Sequence, residues 1–128
     1  MRAHLLLSYV ALIKLNPIMH DKNPQLDILL NVLDDAKAIE VTVIDVSKHT
    51  SITDYMIICT GRSSRHVKAI AAQVMEHMKS AGIPAMHDAG IEAGEWALVD
   101  FGDFIIHIMQ ADTRAFYNIE GLWQERTQ

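Results

Sequence analysis

The strongest constraint on the fold is a strand pattern that runs through a glycine into a helix pattern. Tyr55 to Thr60 is a largely apolar run, and Gly61 interrupts it. Apolar side chains then recur at intervals of three and four residues until Gly82, at these positions: Val67, Ile70, Ala71, Val74, Met75 and Met78. This spacing predicts an amphipathic helix that Ser63 or Ser64 caps. Since such a helix must bury its apolar stripe against the sheet, we expect an α/β protein.

Two further elements precede this unit. Asn23 and Pro24 are the residue types of a helix N-cap and first helical position, and apolar side chains follow at helical spacing from Leu26 to Ala36. Val41 to Val46 is rich in β-branched residues, which predicts a strand. The polar connection of residues 47–53 is short enough to join antiparallel strands, so the two strands on either side should be neighbours.

Three strands and a helix are predicted after the long helix. Pro84 to Gly90 can hold a short strand, which would make Tyr55 to about His87 a strand–helix–strand unit with a right-handed crossover. Glu95 to Asp100 and Asp103 to Met109 are two more strands, and a final short helix begins near residues 112–113. The order α-β-β-α-β-β-β-α indicates an α/β (α+β) fold, a mixed sheet of about five strands covered by helices.

The last two strands form a predicted hairpin around Phe101 and Gly102. If these residues are a two-residue loop, one face of the hairpin carries three facing pairs: Asp100 with Asp103, Leu98 with Ile105, and Trp96 with His107. The opposite face is apolar throughout and suits the core, with these residues: Ala97, Val99, Phe104, Ile106 and Ile108.

This hairpin has the composition of a protein-binding patch. Two aspartates that face each other repel, which favours a positive group between them. An indole beside apolar groups and acids matches the anatomy of an interface centred on an aromatic anchor. Two structural interpretations stay open. A helix can cover this face, which would make Trp96 a core residue, and the acids can belong to a solvated turn.

The 128 residues suit one compact domain. We expect a single domain over residues 23–124, a short tail over residues 125–128, and a dispensable or poorly ordered leader over residues 1–22. The apolar run Leu5 to Ile13 is too short to span a membrane, and Met19 precedes a polar stretch like a natural start. An ordered extension or a targeting segment is the alternative.

The charge of the chain favours a basic protein partner. A net charge of -5 and a pI near 5.7 argue against non-specific electrostatic binding to the phosphate backbone of a nucleic acid. Direct RNA binding through Arg62, Arg65 and Lys68 is therefore the weaker alternative. The single cysteine, Cys59, lies in a strand pattern and is interpreted as a buried residue in a reducing compartment.

The segment after Gly61 is a candidate anion site. Gly61, Arg62, Ser63, Ser64 and Arg65 lie where a strand passes into a helix, so backbone N–H groups, hydroxyls and two guanidinium groups converge there. The same residues also describe an ordinary sharp turn followed by an N-cap, and both interpretations stay open.

Catalysis and metal binding find little support in the sequence. His66 and His77 share a helix but are ~16 Å apart along its axis, too far for one metal ion. No nucleophile elbow, P-loop or dinucleotide motif is present. The hypothesis is therefore a protein that is not an enzyme and needs no metal or other cofactor. The alternative is a nucleotidyltransferase-like enzyme with phosphates at Gly61 to Arg65 and metal at Asp100 or Asp103.

A set of ordered motifs resembles the ribosomal silencing factor (Iojap-like) family over roughly residues 24–124. The first half of the resemblance lies in Asp45-Val46-Ser47, Thr53-Asp54-Tyr55, Ile57-Ile58-Cys59-Thr60-Gly61 and Ser63 to Ile70. The second half lies in Gly94-Glu95-Trp96, Asp100-Phe101-Gly102-Asp103, His107, Arg114, Phe116-Tyr117 and Leu122-Trp123.

The resemblance implies a function as well as a fold. It implies a nucleotidyltransferase-like fold without that activity, in a cytoplasmic homodimer. It also implies binding to the fourteenth protein of the large-subunit L series, on the face that meets the small subunit, so that subunit joining is blocked. The implied contact residues are Trp96, Leu98, Asp100, Phe101, Gly102, Asp103 and His107. Phe101 stands where the family often has Tyr, so the hydroxyl at this position and any hydrogen bond from it are absent.

Overall fold

The computed structural model describes residues 23–127. The predicted leader, residues 1–22, lies outside the described residues. The elements in chain order are α1 (Pro24–Asp35), β1 (Ile39–Asp45), β2 (Tyr55–Gly61), α2 (Ser64–Ser80), β3 (His87–Ala89), β4 (Trp96–Asp100), β5 (Phe104–Gln110), α3 (Ala111–Tyr117) and α4 (Ile119–Thr127). None of the helices within this range is long and apolar enough to cross a membrane.

The five strands form one mixed sheet in the order β1-β2-β5-β4-β3. The β1–β2, β5–β4 and β4–β3 pairs are antiparallel, and the central β2–β5 pair is parallel. Both central strands are buried almost along their whole length. This burial explains why their sequences are continuous apolar runs rather than alternating ones.

Helices cover both faces of this sheet. On one face, α1 and α2 bury their apolar stripes against Ile57, Cys59, Val99 and other residues of the first core cluster. On the other face, α3 and α4 pack over β1, β2 and β5. Ile58 and Met109 belong to the smaller second core cluster there, against which Trp96 and Trp123 also pack.

The predicted fold class is confirmed. The eight elements occur in the predicted order, and the predicted final helix is followed by a second one, because Asn118 takes a left-handed φ of 46° that separates α3 from α4. The predicted strand–helix–strand unit is present as β2, α2 and β3, but its two strands are not neighbours in the sheet. β3 has three exposed residues and lies at the far edge of the sheet, while the apolar β5 takes the place beside β2.

The end of α1 has an unfavourable residue in a left-handed position. Lys37 has φ of 64°, while its N–H donates to Asp34 and the N–H of Ala38 donates to Leu33. These two bonds are those of a Schellman motif, in which glycine usually occupies the left-handed site because a Cβ is strained there.

Replacing Lys37 with glycine is therefore expected to raise the free energy of unfolding by about 1 kcal/mol, as measured by urea denaturation. The matched control is Lys37→Ala, which removes the same charge but keeps a Cβ atom. An equal gain in the two variants would show that charge, and not backbone strain, is responsible.

Candidate functional site

The hairpin between β4 and β5 turns one residue later than the sequence predicts. The N–H of Phe101 donates to the carbonyl of Phe104 at 2.9 Å, so Gly102 and Asp103 are the two loop residues. Gly102 has φ of 91°, which a glycine adopts without strain. Its N–H donates to the Asp100 carboxylate at 2.8 Å. The Asp100 side chain therefore stabilises the turn.

The shifted loop changes every facing pair that was predicted. Trp96 faces Met109, Leu98 faces His107 and Asp100 faces Ile105. The predicted pairing of Asp100 with Asp103 is wrong, and the repulsion inferred from it does not exist. The shift is two positions along the partner strand, and side chains alternate with a period of two, so each residue keeps its predicted face.

Trp96 is half-buried on the face that α3 and α4 cover in part. Its indole N–H donates to Nδ1 of His107 at 2.9 Å, and its ring lies 4.8 Å from the ring of Tyr117, centre to centre. It also packs against the second core cluster. The indole is thus neither a free anchor nor a core residue, but a half-buried ring held by a hydrogen bond and a ring contact.

The predicted contact residues differ widely in exposure. Asp103 is exposed, whereas Leu98, Asp100 and Gly102 are half-buried. Phe101 and His107 are each only 7% exposed. Phe101 packs against Phe104 with ring centres 5.7 Å apart, and burial lowers the pKa of His107 to about 4. These two side chains therefore present little area to a partner, and their role in partner binding stays a prediction.

A buried arginine, Arg114, lies next to this surface; it is one of the family motif residues, but its sequence context predicts no role for it. Arg114 of α3 donates Nε to Oε1 of Glu120 at 2.6 Å and Nη2 to Oε2 at 3.0 Å, which joins α3 to α4. Its Nη1 donates to the hydroxyl of Thr60 and the carbonyl of Glu40, and its Nη2 to the hydroxyl of Thr42. The hydrogen bonds to Glu120 raise the pKa of Arg114 and lower that of Glu120.

This arginine also explains an irregularity of β1. Glu40 has a left-handed φ of 50°, at the point where the pairing register between β1 and β2 shifts. The resulting bulge is where the Glu40 carbonyl accepts the hydrogen bond from Arg114. Arg114 therefore fixes α3 and α4 onto β1 and β2, and with them Tyr117 beside Trp96.

The segment after Gly61 forms a sharp turn and a helix cap. The Ser63 hydroxyl accepts the N–H of His66 at 3.1 Å, and Nδ1 of His66 accepts the N–H of Arg62 at 2.9 Å. A Cβ at Gly61 would lie 3.0 Å from the backbone nitrogen of Val67, which only a glycine avoids. These contacts account for the motif as a turn, and anion binding by Gly61, Arg62, Ser63, Ser64 and Arg65 stays a prediction.

Residues 23–127 contain no group of three or more side chains that could hold a metal ion. Cys59 is buried, and its burial raises the pKa of the thiol to about 12, so it is a poor nucleophile. The hypothesis that the protein is not an enzyme stays a prediction.

The sequence is similar to that of one known protein family over most of its length. A family model described as "ribosomal silencing factor during starvation" matches residues 19–128. The chain belongs to the ribosomal silencing factor family. The resemblance inferred from the motifs is thereby confirmed.

Individual members of the silencing factor family align over most of the chain. The ribosomal silencing factor RsfS of Zymomonas mobilis is 38% identical over 84% of this chain and 81% of its own. A crystal structure of a Chromobacterium violaceum protein is similar with a TM-score of 0.77 and 40% identity, over 79% of this chain and 84% of that one. A mouse relative named "mitochondrial assembly of ribosomal large subunit protein 1" is 34% identical over 80% of this chain and 46% of its own.

Membership of the silencing factor family establishes the broad function. The chain is a regulator of translation that associates with the ribosome.

Proposed function

We propose that the protein represses translation by binding the large ribosomal subunit and blocking its joining with the small subunit. The proposed partner is the fourteenth L-series protein, on the face that meets the small subunit. The observation that carries this proposal is the family match over residues 19–128. The name of the mouse relative, which refers to the large ribosomal subunit, supports the choice of subunit.

The sheet face on which α3 and α4 pack is only partly covered by these helices. The proposed contact surface is the uncovered part of that face. Trp96, Leu98 and Asp100 are half-buried there, and exposed Asp103 lies beyond them in the hairpin loop. The surface thus combines an aromatic ring, an aliphatic group and acids, which suits a basic protein partner of a chain with net charge -5. His107 and Phe101 contribute by holding the indole and the loop in place.

The remaining parts of the proposal follow from the same function. We infer a cytoplasmic homodimer that acts without a cofactor, without insertion in a membrane and without sequence-specific contact with nucleic acid. Steric exclusion of the small subunit needs only a rigid body at the joining face. The hydrogen bond and ring contact that fix Trp96 supply such rigidity.

Alanine in place of Trp96 is expected to weaken binding to isolated large subunits by about 2 kcal/mol, or ~30-fold, because a central aromatic anchor is lost. Lysine in place of Asp103 is expected to weaken it ~10-fold by reversing a charge at the rim. Cosedimentation at increasing subunit concentration measures both effects.

The controls separate binding from folding. Glu76→Lys reverses an exposed charge on α2, on the other side of the sheet, and should bind like the parent. Trp96→Ala leaves Nδ1 of His107 without its donor and lowers stability too, so binding is measured well below each melting temperature. If both hairpin variants bind as well as the parent while folded, this surface is not the contact surface.

A further inference from the structure

A pocket of about 300 Å³ opens at the end of the sheet where β1 finishes and β2 begins. Its lining residues are Asn23, Asp45, Ser47, Asp54 and Tyr55. Asp45 and Tyr55 face each other across the two strands. The N–H groups of Asp54 and Tyr55 both donate to the carbonyl of Asp103 at 3.0 Å. The pocket therefore adjoins the hairpin loop of the proposed contact surface but is separate from it.

The hydroxyl of Tyr55 is the unusual feature of this pocket. Tyr55 is only 4% exposed and its ring belongs to the first core cluster. Its hydroxyl forms no hydrogen bond with residues 23–127, and within that range no fully buried side-chain polar atom lacks a partner. The hydroxyl is therefore not fully buried, and because Tyr55 lines the pocket, it is the polar group that this side chain can offer to a ligand there.

Two carboxylates, those of Asp45 and Asp54, line the same pocket and act electrostatically on this hydroxyl. Burial raises the pKa of Tyr55, and the charges of Asp45 and Asp54 raise it further. The phenol therefore stays neutral at physiological pH, with a lone pair available to accept a hydrogen bond. The Asp45 carboxylate accepts two hydrogen bonds from Ser47 on Oδ1, which leaves Oδ2 for a ligand.

The oxygens that line the pocket are hydrogen-bond acceptors, and two of the side chains are carboxylates, so they suit a positively charged hydrogen-bond donor. A primary ammonium group has three donors and no acceptor, and the pocket offers a phenol oxygen and two carboxylates. None of its lining residues carries a positive charge. We propose that this pocket binds a primary ammonium group, with Asp45 and Asp54 supplying the charge and Tyr55 a hydrogen bond. The group belongs either to a free polyamine or to a lysine of the ribosomal partner, and the second source rests on the proposed function.

Calorimetric titration with spermidine at low ionic strength tests the pocket. The parent protein is expected to show saturable binding at one site. Tyr55→Phe keeps the buried ring and removes only the hydroxyl, so it should weaken binding ~5-fold, the scale of one hydrogen bond. Asp54→Asn should weaken it ~10-fold, because the lost bond is charge-assisted.

The matched control is Asp112→Asn, which makes the same change of charge in α3 at the opposite end of β5. It should leave spermidine binding within about twofold of the parent, since surface charges at this distance are screened. The proposal is overturned if this variant weakens binding as much as Asp54→Asn, if Tyr55→Phe binds like the parent, or if the parent binds magnesium but not spermidine.

Measuring the large-subunit affinity of the same variants distinguishes the two sources of the ammonium group. A loss of subunit affinity in Tyr55→Phe and Asp54→Asn supports a lysine of the partner, and unchanged affinity supports a free polyamine. Failure of the pocket is distinguishable from failure of the proposed function, because Trp96→Ala and Asp103→Lys test that function without altering any residue of the pocket.

Discussion

Replacing Arg114 with alanine is expected to lower the free energy of unfolding by about 3 kcal/mol, the largest effect of a single substitution predicted for this protein. Arg114 is 9% exposed. Its guanidinium group donates hydrogen bonds to four residues: Glu120, Glu40, Thr60 and Thr42. Alanine leaves the Glu120 carboxylate and the other acceptors without their donor. Leaving a buried polar group unpaired costs more free energy than a hydrogen bond contributes. Urea denaturation at neutral pH measures the loss.

Two further variants show whether the buried network is the cause. Arg65→Ala removes an exposed arginine from α2 and should change stability by less than about 0.5 kcal/mol. Glu120→Gln keeps an acceptor for Arg114 but removes the charge, so its cost should be intermediate. A loss below about 1 kcal/mol for Arg114→Ala would mean that water replaces the guanidinium group and that α3 is not fixed by it.

Acid is expected to destabilise the protein through His107. The pKa of this buried imidazole is about 4, below the ordinary value of 6.5 that it regains in the unfolded chain. Between these two values the unfolded state binds a proton that the folded state does not, so stability falls as the pH falls. The loss should reach about 2 kcal/mol between pH 7 and pH 5, and about 3 kcal/mol by pH 4.

Denaturation curves at several pH values between 7 and 5 test this dependence. His107→Gln is expected to be less stable at pH 7 but to lack most of the slope, because it has no imidazole to protonate. His87→Gln, which changes an exposed histidine of β3, should keep the parent slope. A parent slope that persists in His107→Gln would assign the acid sensitivity to another group. The depressed pKa of Glu120 contributes only at lower pH, as that carboxyl becomes protonated.

Local sequence patterns predicted the elements well and the hairpin register less well. Helical spacing and the Asn23 and Ser63 caps located α1 and α2, because these signals depend on residues within a few positions of one another. For the hairpin, either Phe101 or Asp103 can stand beside Gly102 in a two-residue loop. The choice depends on Phe101, which extends the strand pairing and buries its ring against Phe104.

Features built from distant residues were not predictable in this way. Thr60 and Glu40 lie 54 and 74 residues from Arg114 along the chain, so no local pattern links them. The partial cover over Trp96 has the same origin, since it depends on where α3 lies after β5 ends. The pocket at Tyr55 likewise forms from the start of α1, the end of β1 and the start of β2.

The central place of β5 in the sheet has a consequence for how a newly made chain acquires its shape. β5 joins the β1–β2 hairpin to the β3–β4 hairpin, and without it the sheet is two unconnected ribbons. Isolated two-stranded ribbons are marginal in water, and the parallel pairing closes a long stretch of chain. Folding on a translating ribosome must therefore wait for Phe104–Gln110 to be made, so a half-made copy has neither a completed sheet nor the β4–β5 hairpin.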